Sequence, residues 1–295
     1  MKKILPQLAL VGAMFLWASS FIALKIAFRV YDPMFVIFGR MFVASLCLLA
    51  IGFRFRRSVH YQKGDYKLIL FMAFCEPCLY FVFEAQAIVY TTAAQAGMVT
   101  AILPILVMLA ASMVLKEKTG IQGWIGAVAA VGGVCWLTLE STPSENAPNP
   151  MLGNFLEFLA MVCATGYMVT LRYLTVRYSP FFLTAIQALV GCVFYFPLLF
   201  LPGTELPDHF NVQSGFAIIY LGAAITLGAY GLYNYGLKYV SASRSAMYVN
   251  LIPVISVILA WLILGEILVR NQVYAAAVIM FGVWLTQRAP AAQAE

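Results

Sequence analysis

Residues 90–139 read YTTAAQAGMVTAILPILVMLAASMVLKEKTGIQGWIGAVAAVGGVCWLTL, and residues 239–288 read YVSASRSAMYVNLIPVISVILAWLILGEILVRNQVYAAAVIMFGVWLTQR. At a constant offset of 149 they share Tyr90/Tyr239, Ala93/Ala242, Met98/Met247, Pro104/Pro253, Leu115/Leu264, Glu117/Glu266, Gly133/Gly282 and Val134/Val283. In both, a mid-segment proline is followed thirteen residues later by a glutamate at the end of the apolar run. Nearer the N-terminus, Tyr31-Asp32-Pro33 matches Tyr178-Ser179-Pro180, and Lys25 matches Arg172, both at an offset of 147. Self-similarity at a fixed spacing marks a repeated structural unit.

Composition says what kind of unit it is. Of 295 residues, 63% are hydrophobic and 10% charged, against roughly 45–50% and 25% in soluble domains. The mean hydropathy is +0.89. Disorder, a coiled coil and a water-soluble enzyme are excluded. Ten apolar segments run approximately over 5–27, 33–53, 67–89, 93–115, 121–139, 152–172, 181–201, 213–237, 242–264 and 271–287. A membrane span needs about 20 mainly apolar residues. In lipid, unbroken runs of that length must be helical. No alternation of the kind barrel strands show over about ten residues is present. The predicted fold is an all-α membrane protein of ten transmembrane helices. Residues 1–139 form one five-helix repeat, 140–150 an extracytoplasmic linker, 151–288 the second repeat and 289–295 a cytoplasmic tail. Five is odd, so the second repeat enters from the opposite side. Inverted repeats of this kind are characteristic of secondary transporters.

Lysine and arginine set the orientation. With a cytoplasmic N-terminus, fourteen fall inside and three outside (Lys25, Arg29 and Arg270), while Arg40 lies within a span. Both termini are predicted to be cytoplasmic. The first apolar run reaches about Phe28, longer than the roughly 7–15 residues of a signal peptide, and is read as a retained helix. The basic stretch from Arg54 to Lys67 is a topology signal beside anionic lipid, so no nucleic-acid partner is expected. The six cysteines, Cys47, Cys75, Cys78, Cys135, Cys163 and Cys192, lie inside apolar runs, where they act as small packing residues.

The sequence resembles the drug/metabolite transporter superfamily, specifically its EamA-type members. The matching stretches begin with Trp17-Ala-Ser-Ser-Phe-Ile-Ala-Leu-Lys25 and Asp32-Pro33 with Arg40. They continue with Tyr233-Asn234-Tyr-Gly-Leu237-Lys238-Tyr239-Val240-Ser241-Ala242-Ser243, then Pro253 and Leu264-Gly265-Glu266. The resemblance covers nearly the whole chain, as two copies. It implies ten helices, both ends cytoplasmic, a central cavity between the halves, and export or exchange of amino acids, related metabolites or drugs. One departure stands out. The related small multidrug resistance proteins carry a glutamate in their first helix, and the first span here has no acid.

A charge in mid-membrane costs about 3 kcal/mol or more, so each needs a reason. Glu76, Tyr80 and Glu84 are spaced i, i+4, i+8 on one helix face. Pro77 should loosen the backbone ladder beside them. This face is the leading substrate-binding candidate, with Arg40 as counter-charge. As carboxylates in a low-dielectric setting, Glu76 and Glu84 are also the proton-coupling candidates. The alternative is an Arg40–glutamate pair that only fixes helix contacts. Lys25 and Glu157 lie nearer the outer boundary, where a side chain can snorkel. The second-half equivalents of Glu76, Tyr80 and Glu84 are Ile225, Ala229 and Tyr233, which makes the cavity lopsided, charged on one wall and aromatic on the other. Tyr230, Tyr233, Asn234, Tyr248 and Asn250 supply polar tips on that second wall, or else helix–helix hydrogen bonds. Trp17, mid-span, faces the cavity or fills space. Pro104 and Pro253 break matching helices at matching depth. Ala93/Gly97 and Ala242/Ala246 are small-residue pairs suited to close helix contact.

The sequence reading is therefore a non-enzymatic secondary transporter of the bacterial inner (plasma) membrane. Its partners are a small-molecule substrate and the lipid bilayer, and it works as a monomer or homodimer without a cofactor. An intramembrane thiol oxidoreductase using Cys75-Glu-Pro-Cys78 is one alternative, and multidrug efflux by the same fold is another. No zinc spacing occurs, and the two histidines, His60 and His209, fall in loops on opposite sides.

Overall fold

The structure is a computed structural model that describes residues 4–52, 62–114, 120–175, 177–239 and 248–288. Among the described residues ten helices follow one another: α1 (Leu5–Ala27), α2 (Pro33–Gly52), α3 (Asp65–Tyr90), α4 (residues 93–114), α5 (Ile121–Leu139), α6 (Pro150–Leu174), α7 (Pro180–Leu198), α8 (residues 212–239), α9 (Leu251–Leu264) and α10 (Arg270–Arg288). Apart from the start of α9, their ends lie within a few residues of those the apolar runs predict. Eight are long and apolar enough to cross a membrane. α9 begins at Leu251, after a turn at Asn250, where the apolar run predicts a span starting at 242; residues 240–247 lie outside the described residues. α10 carries Arg270, Asn271 and Gln272 in its first turn, which lowers its apolarity. Arg54, Arg56, Arg57, His60, Leu115, Lys116, Glu117, Lys118, Ala242, Ser243, Arg244, Ala246 and Met247 also lie outside the described residues.

Local chemistry starts the helices. The side chains of Thr92, Asn149, Ser179 and Asn211 each accept a backbone N–H from three residues on, at the heads of α4, α6, α7 and α8. Pro150 and Pro180 occupy first-turn positions, where a missing N–H costs nothing. Gly265, at φ 71°, closes α9 in the left-handed conformation that glycine adopts without strain.

The two halves exchange contacts as a two-fold demands. α3 packs on α6, and its counterpart α8 packs on α1; α4 packs on α6, and α9 on α1; α2 packs on α8, and α7 on α3. α2 meets its own counterpart α7, as do α4 with α9 and α5 with α10. At residue level Gly133 lies against Ala275 and Ile279, while Gly282 lies against Gly126 and Ala130. Those are the same contacts with the halves swapped, at the offset of 149. They run in opposite directions along α5 and α10, so the two equivalent helices are antiparallel and the repeat is inverted.

The start of α1 and the end of α10 therefore lie on one face, called here the terminal face. On the far face Glu266, just past the end of α9, accepts the Ala93 N–H (3.1 Å) and the Ala94 N–H (2.9 Å) at the head of α4. Asn271 donates to Glu140 (2.9 Å), and the Asn211 N–H donates to the Tyr31 hydroxyl (2.6 Å). On the terminal face Arg177 pairs with Asp65 at 3.0 Å, and the Tyr178 hydroxyl donates to the same carboxylate at 2.7 Å.

Lys25 and Glu157 differ from the snorkelling expected of them. Lys25 is 9% exposed, and its ammonium donates to the Ile88, Thr91 and Asn146 carbonyls at 2.6, 2.7 and 2.5 Å. It satisfies carbonyls at the end of α3, where a cation also suits the helix dipole. Glu157 is fully enclosed, at 0% exposure. It shares a helix face with Gly153, which packs on α3 against Ala87 and Thr91, so it points into the helix contact rather than to the interface.

Candidate functional site

Four helices are irregular where the halves meet. In α3, Pro77 removes a backbone donor, and residues 74–79 form a wide turn in which Glu76 is extended (φ −146°, ψ 117°). The Glu76–Pro77 peptide is cis. The carbonyls freed there find donors on α7: Gln187 Nε2 reaches Glu76 O at 2.8 Å, and the Tyr195 hydroxyl reaches Cys78 O at 2.6 Å. In α8 the wide stretch is Tyr220–Ala229. There Arg40, the counterpart of Gln187, donates from Nε to Thr226 Oγ1 at 3.0 Å, and Thr226 donates to Leu221 O at 2.9 Å. α4 tightens at Thr100–Ile102, just ahead of Pro104, and the helix carrying Pro253 turns at Asn250, the equivalent level.

These irregular turns surround a cavity of about 610 Å³, including its open mouth. Its lining obeys the repeat. Trp17, Ser20 and Phe21 on α1 face Ala164, Tyr167 and Met168 on α6, three equivalent pairs at the offset of 147. Thr100 and Leu103 pair with Val249 and Ile252, and Phe81 with Tyr230, at the offset of 149. The cavity thus lies on the two-fold axis. The charges do not obey the repeat: Arg40, Glu76, Tyr80 and Glu84 line it, while Ile225 and Ala229 are buried elsewhere.

On the charged wall, Arg40 Nη1 stands 3.8 Å from Glu84 Oε2, and the guanidinium lies 4.1 Å from the centre of the Phe81 ring. The Tyr80 hydroxyl donates to Glu84 Oε1 at 2.8 Å. Glu76 Oε1 accepts the Tyr230 hydroxyl. Opposite, the Trp17 ring meets Tyr230 at 5.3 Å and Tyr233 at 5.0 Å, and Tyr167 meets Tyr230 at 6.4 Å. Such a chamber offers a cation, carboxylates and aromatic faces to one small amphipathic molecule.

Of the residues the sequence singles out, Trp17, Arg40, Glu76, Tyr80, Glu84 and Tyr230 line the cavity together. Tyr233 is buried one turn further along α8, against Trp17. Val249 and Ile252 share one face of their turn, which leaves Tyr248 and Asn250 off it; Asn250 is buried with neither amide atom hydrogen-bonded among the described residues. Asn234 belongs to α8, with its side chain outside the description. Cys75 and Cys78 are buried free thiols in the α3 kink. The sequence reading missed Ser20, Thr100, Tyr167, Met168, Gln187 and Thr226. The repeat itself carries the signal for several: transferring Trp17 by 147 reaches Ala164, and one turn on lie Tyr167 and Met168, while Arg40 transfers to Gln187.

Comparison with known proteins agrees with this architecture. The model of the EamA-like transporter family matches the chain twice, over residues 5–139 and 151–288. An uncharacterized transporter of Archaeoglobus fulgidus is 25% identical over 280 residues, covering 95% of this chain and 96% of its own length. The uncharacterized transporter YcxC of Bacillus subtilis is 27% identical, covering 91% and 88%. A chloroplastic WAT1-related protein of Arabidopsis thaliana is 23% identical, covering 94% and 68%. A solved crystal structure superposes with a TM-score of 0.67 over 95% of each chain, at 18% sequence identity. The chain is an integral membrane protein and belongs to the EamA-like transporter family.

Proposed function

We propose that this protein is a secondary active transporter that exports or exchanges amino acids or related small metabolites across the inner membrane. It works by alternating access, with both termini cytoplasmic. One observation carries the reading: the cavity sits on the axis relating two inverted halves. Tilting one half against the other then opens the same chamber to either face. Arg40 suits a substrate carboxylate, Glu76 and Glu84 an ammonium, and the wall of Trp17, Tyr167 and Met168 an apolar side chain. The bulk of the wall favours a substrate of amino-acid size over an ion alone. The relatives named as transporters support the reading.

The test is uptake and counterflow in proteoliposomes, using labelled amino acids and metabolites under varied pH gradients. Arg40→Ala, Glu76→Gln and Glu84→Gln are each expected to cut flux at least tenfold while the protein still inserts. Flux equal to that of the parent chain in all three would remove this wall from the transport path.

A further inference from the structure

Glu157 takes no part in the reading above. It lies on α6, seven residues in from Pro150, fully enclosed, and neither of its carboxylate oxygens has a hydrogen-bond partner among the described residues. The register between α6 and α3 shows what it faces. Gly153 lies against Ala87 and Thr91, and Gly166 lies against Cys75. The helices are antiparallel, so each step along α6 is matched by a step back along α3, and Glu157 comes level with Glu84. At 1.5 Å per residue both sit about 10 Å in from the far ends of their helices.

Glu84 is the charged group that bears on Glu157. Its own Oε2 accepts no hydrogen bond and has only Arg40 Nη1 at 3.8 Å. The other groups facing the pair are accounted for. Tyr80 already donates to Glu84 Oε1, and Glu76, in the kink two turns deeper, has Tyr230 as its donor. Residues 93–114 of α4 include no titratable side chain, and α5 has only Cys135, which is exposed. Three carboxylates therefore share one guanidinium, and one of them has no donor at all. A buried carboxylate in that state is the costliest arrangement available to it.

We propose that Glu84 and Glu157 together bind one exchangeable proton, taken from the aqueous phase. Glu157 carries it and donates it to Glu84 Oε2, which leaves the charge of Glu84 to Arg40. One proton serves one orphaned oxygen on each helix and leaves Glu84 as the carboxylate paired with Arg40, while Glu76 keeps the Tyr230 hydroxyl as its donor. Its use in transport rests on the reading above: a substrate carboxylate that draws Arg40 away from Glu84 changes the pair's hold on the proton. Substrate movement and proton movement are thereby tied.

The test is infrared spectroscopy of the purified protein in lipid during a pH titration, followed at the protonated carboxyl stretch. A band that bleaches reversibly with rising pH is expected in the parent chain. It should be absent in Glu157→Gln, retained in Glu157→Asp and Glu76→Gln, and displaced in Glu84→Gln, which alters the group that accepts the proton. An unchanged band in Glu157→Gln overturns the proposal; so does an undisplaced band in Glu84→Gln, a reading that holds even if the Glu157 variant does not fold. In proteoliposomes, Glu157→Gln is expected to keep counterflow of the amino acids the parent chain carries and to lose stimulation by a pH gradient. Gradient-driven uptake at the parent rate also overturns it. The band reports the proton whether or not anything is transported, so an intact band without flux counts against the transport reading alone.

Discussion

Arg40 joins three elements at one point: its Nε on Thr226 of α8, its plane over Phe81 of α3, and its Nη1 towards Glu84. Removing it strands a carboxylate in a low-dielectric pocket. Breaking one side of a buried pair costs about 3–5 kcal/mol. Arg40→Ala is therefore expected to lower the midpoint of thermal unfolding in detergent, and adding Glu84→Gln should recover part of the loss. A double variant no more stable than the single one would mean that the pair is not what the arginine balances. Lys25 is a simpler case, since its ammonium holds three carbonyls. Lys25→Met keeps the stem and frees those carbonyls, so a destabilisation of about 1–3 kcal/mol is expected in the same melt. The sequence showed that these charges are buried in apolar runs, but not what they touch. Snorkelling was a fair expectation for Lys25 and Glu157 from their depth alone, and only the contact with α3 removes it.

At the scale of elements, the antiparallel α5–α10 contact lets two backbones touch. A Cβ on Gly282 would meet the Ala130 nitrogen and the Gly126 carbonyl, and neither can move aside. Small residues at such contacts are how helices associate in lipid, where no hydrophobic drive separates them from the tails. Gly282→Val is expected to cost about 1–3 kcal/mol through overpacking, measured by chemical unfolding in mixed micelles. Gly132→Ala, where a Cβ would meet nothing within 4 Å, should be neutral or slightly stabilising and serves as the control. The helix boundaries were legible because Pro, Gly and charge sit at the breaks. Pitch changes were legible only where proline causes them, as at Pro77 and Pro104. The wide stretch Tyr220–Ala229 contains no proline. It is held by Thr226 turning back to Leu221 and by Arg40 arriving from another helix, and a tertiary cause leaves no local mark in sequence.

For the whole molecule, α5 and α10 form a seam between equivalents, while Glu266 and the head of α4 join the halves across the far face. If the halves tilt about the cavity, the seam stays closed and the Glu266 contact parts. In a cysteine-free chain, oxidising Glu140→Cys with Asn271→Cys is expected to leave flux intact, and Ala94→Cys with Glu266→Cys to arrest it until reduced. Arrest by the first pair would place the moving boundary at the seam. The two-fold was readable in the sequence from eight identities at one offset, and the position of the cavity on that axis follows from it. The asymmetry within the cavity follows as well, since Ile225 and Ala229 stand where Glu76 and Tyr80 do. That asymmetry has an energetic meaning. Two identical units related by a true dyad would have inward-open and outward-open forms of equal free energy, by degeneracy. Under the proposed alternation, placing Arg40 and the acids on one wall lifts the degeneracy and gives the empty protein a built-in resting side, and exchanging the wall residues between repeats would reverse which side that is.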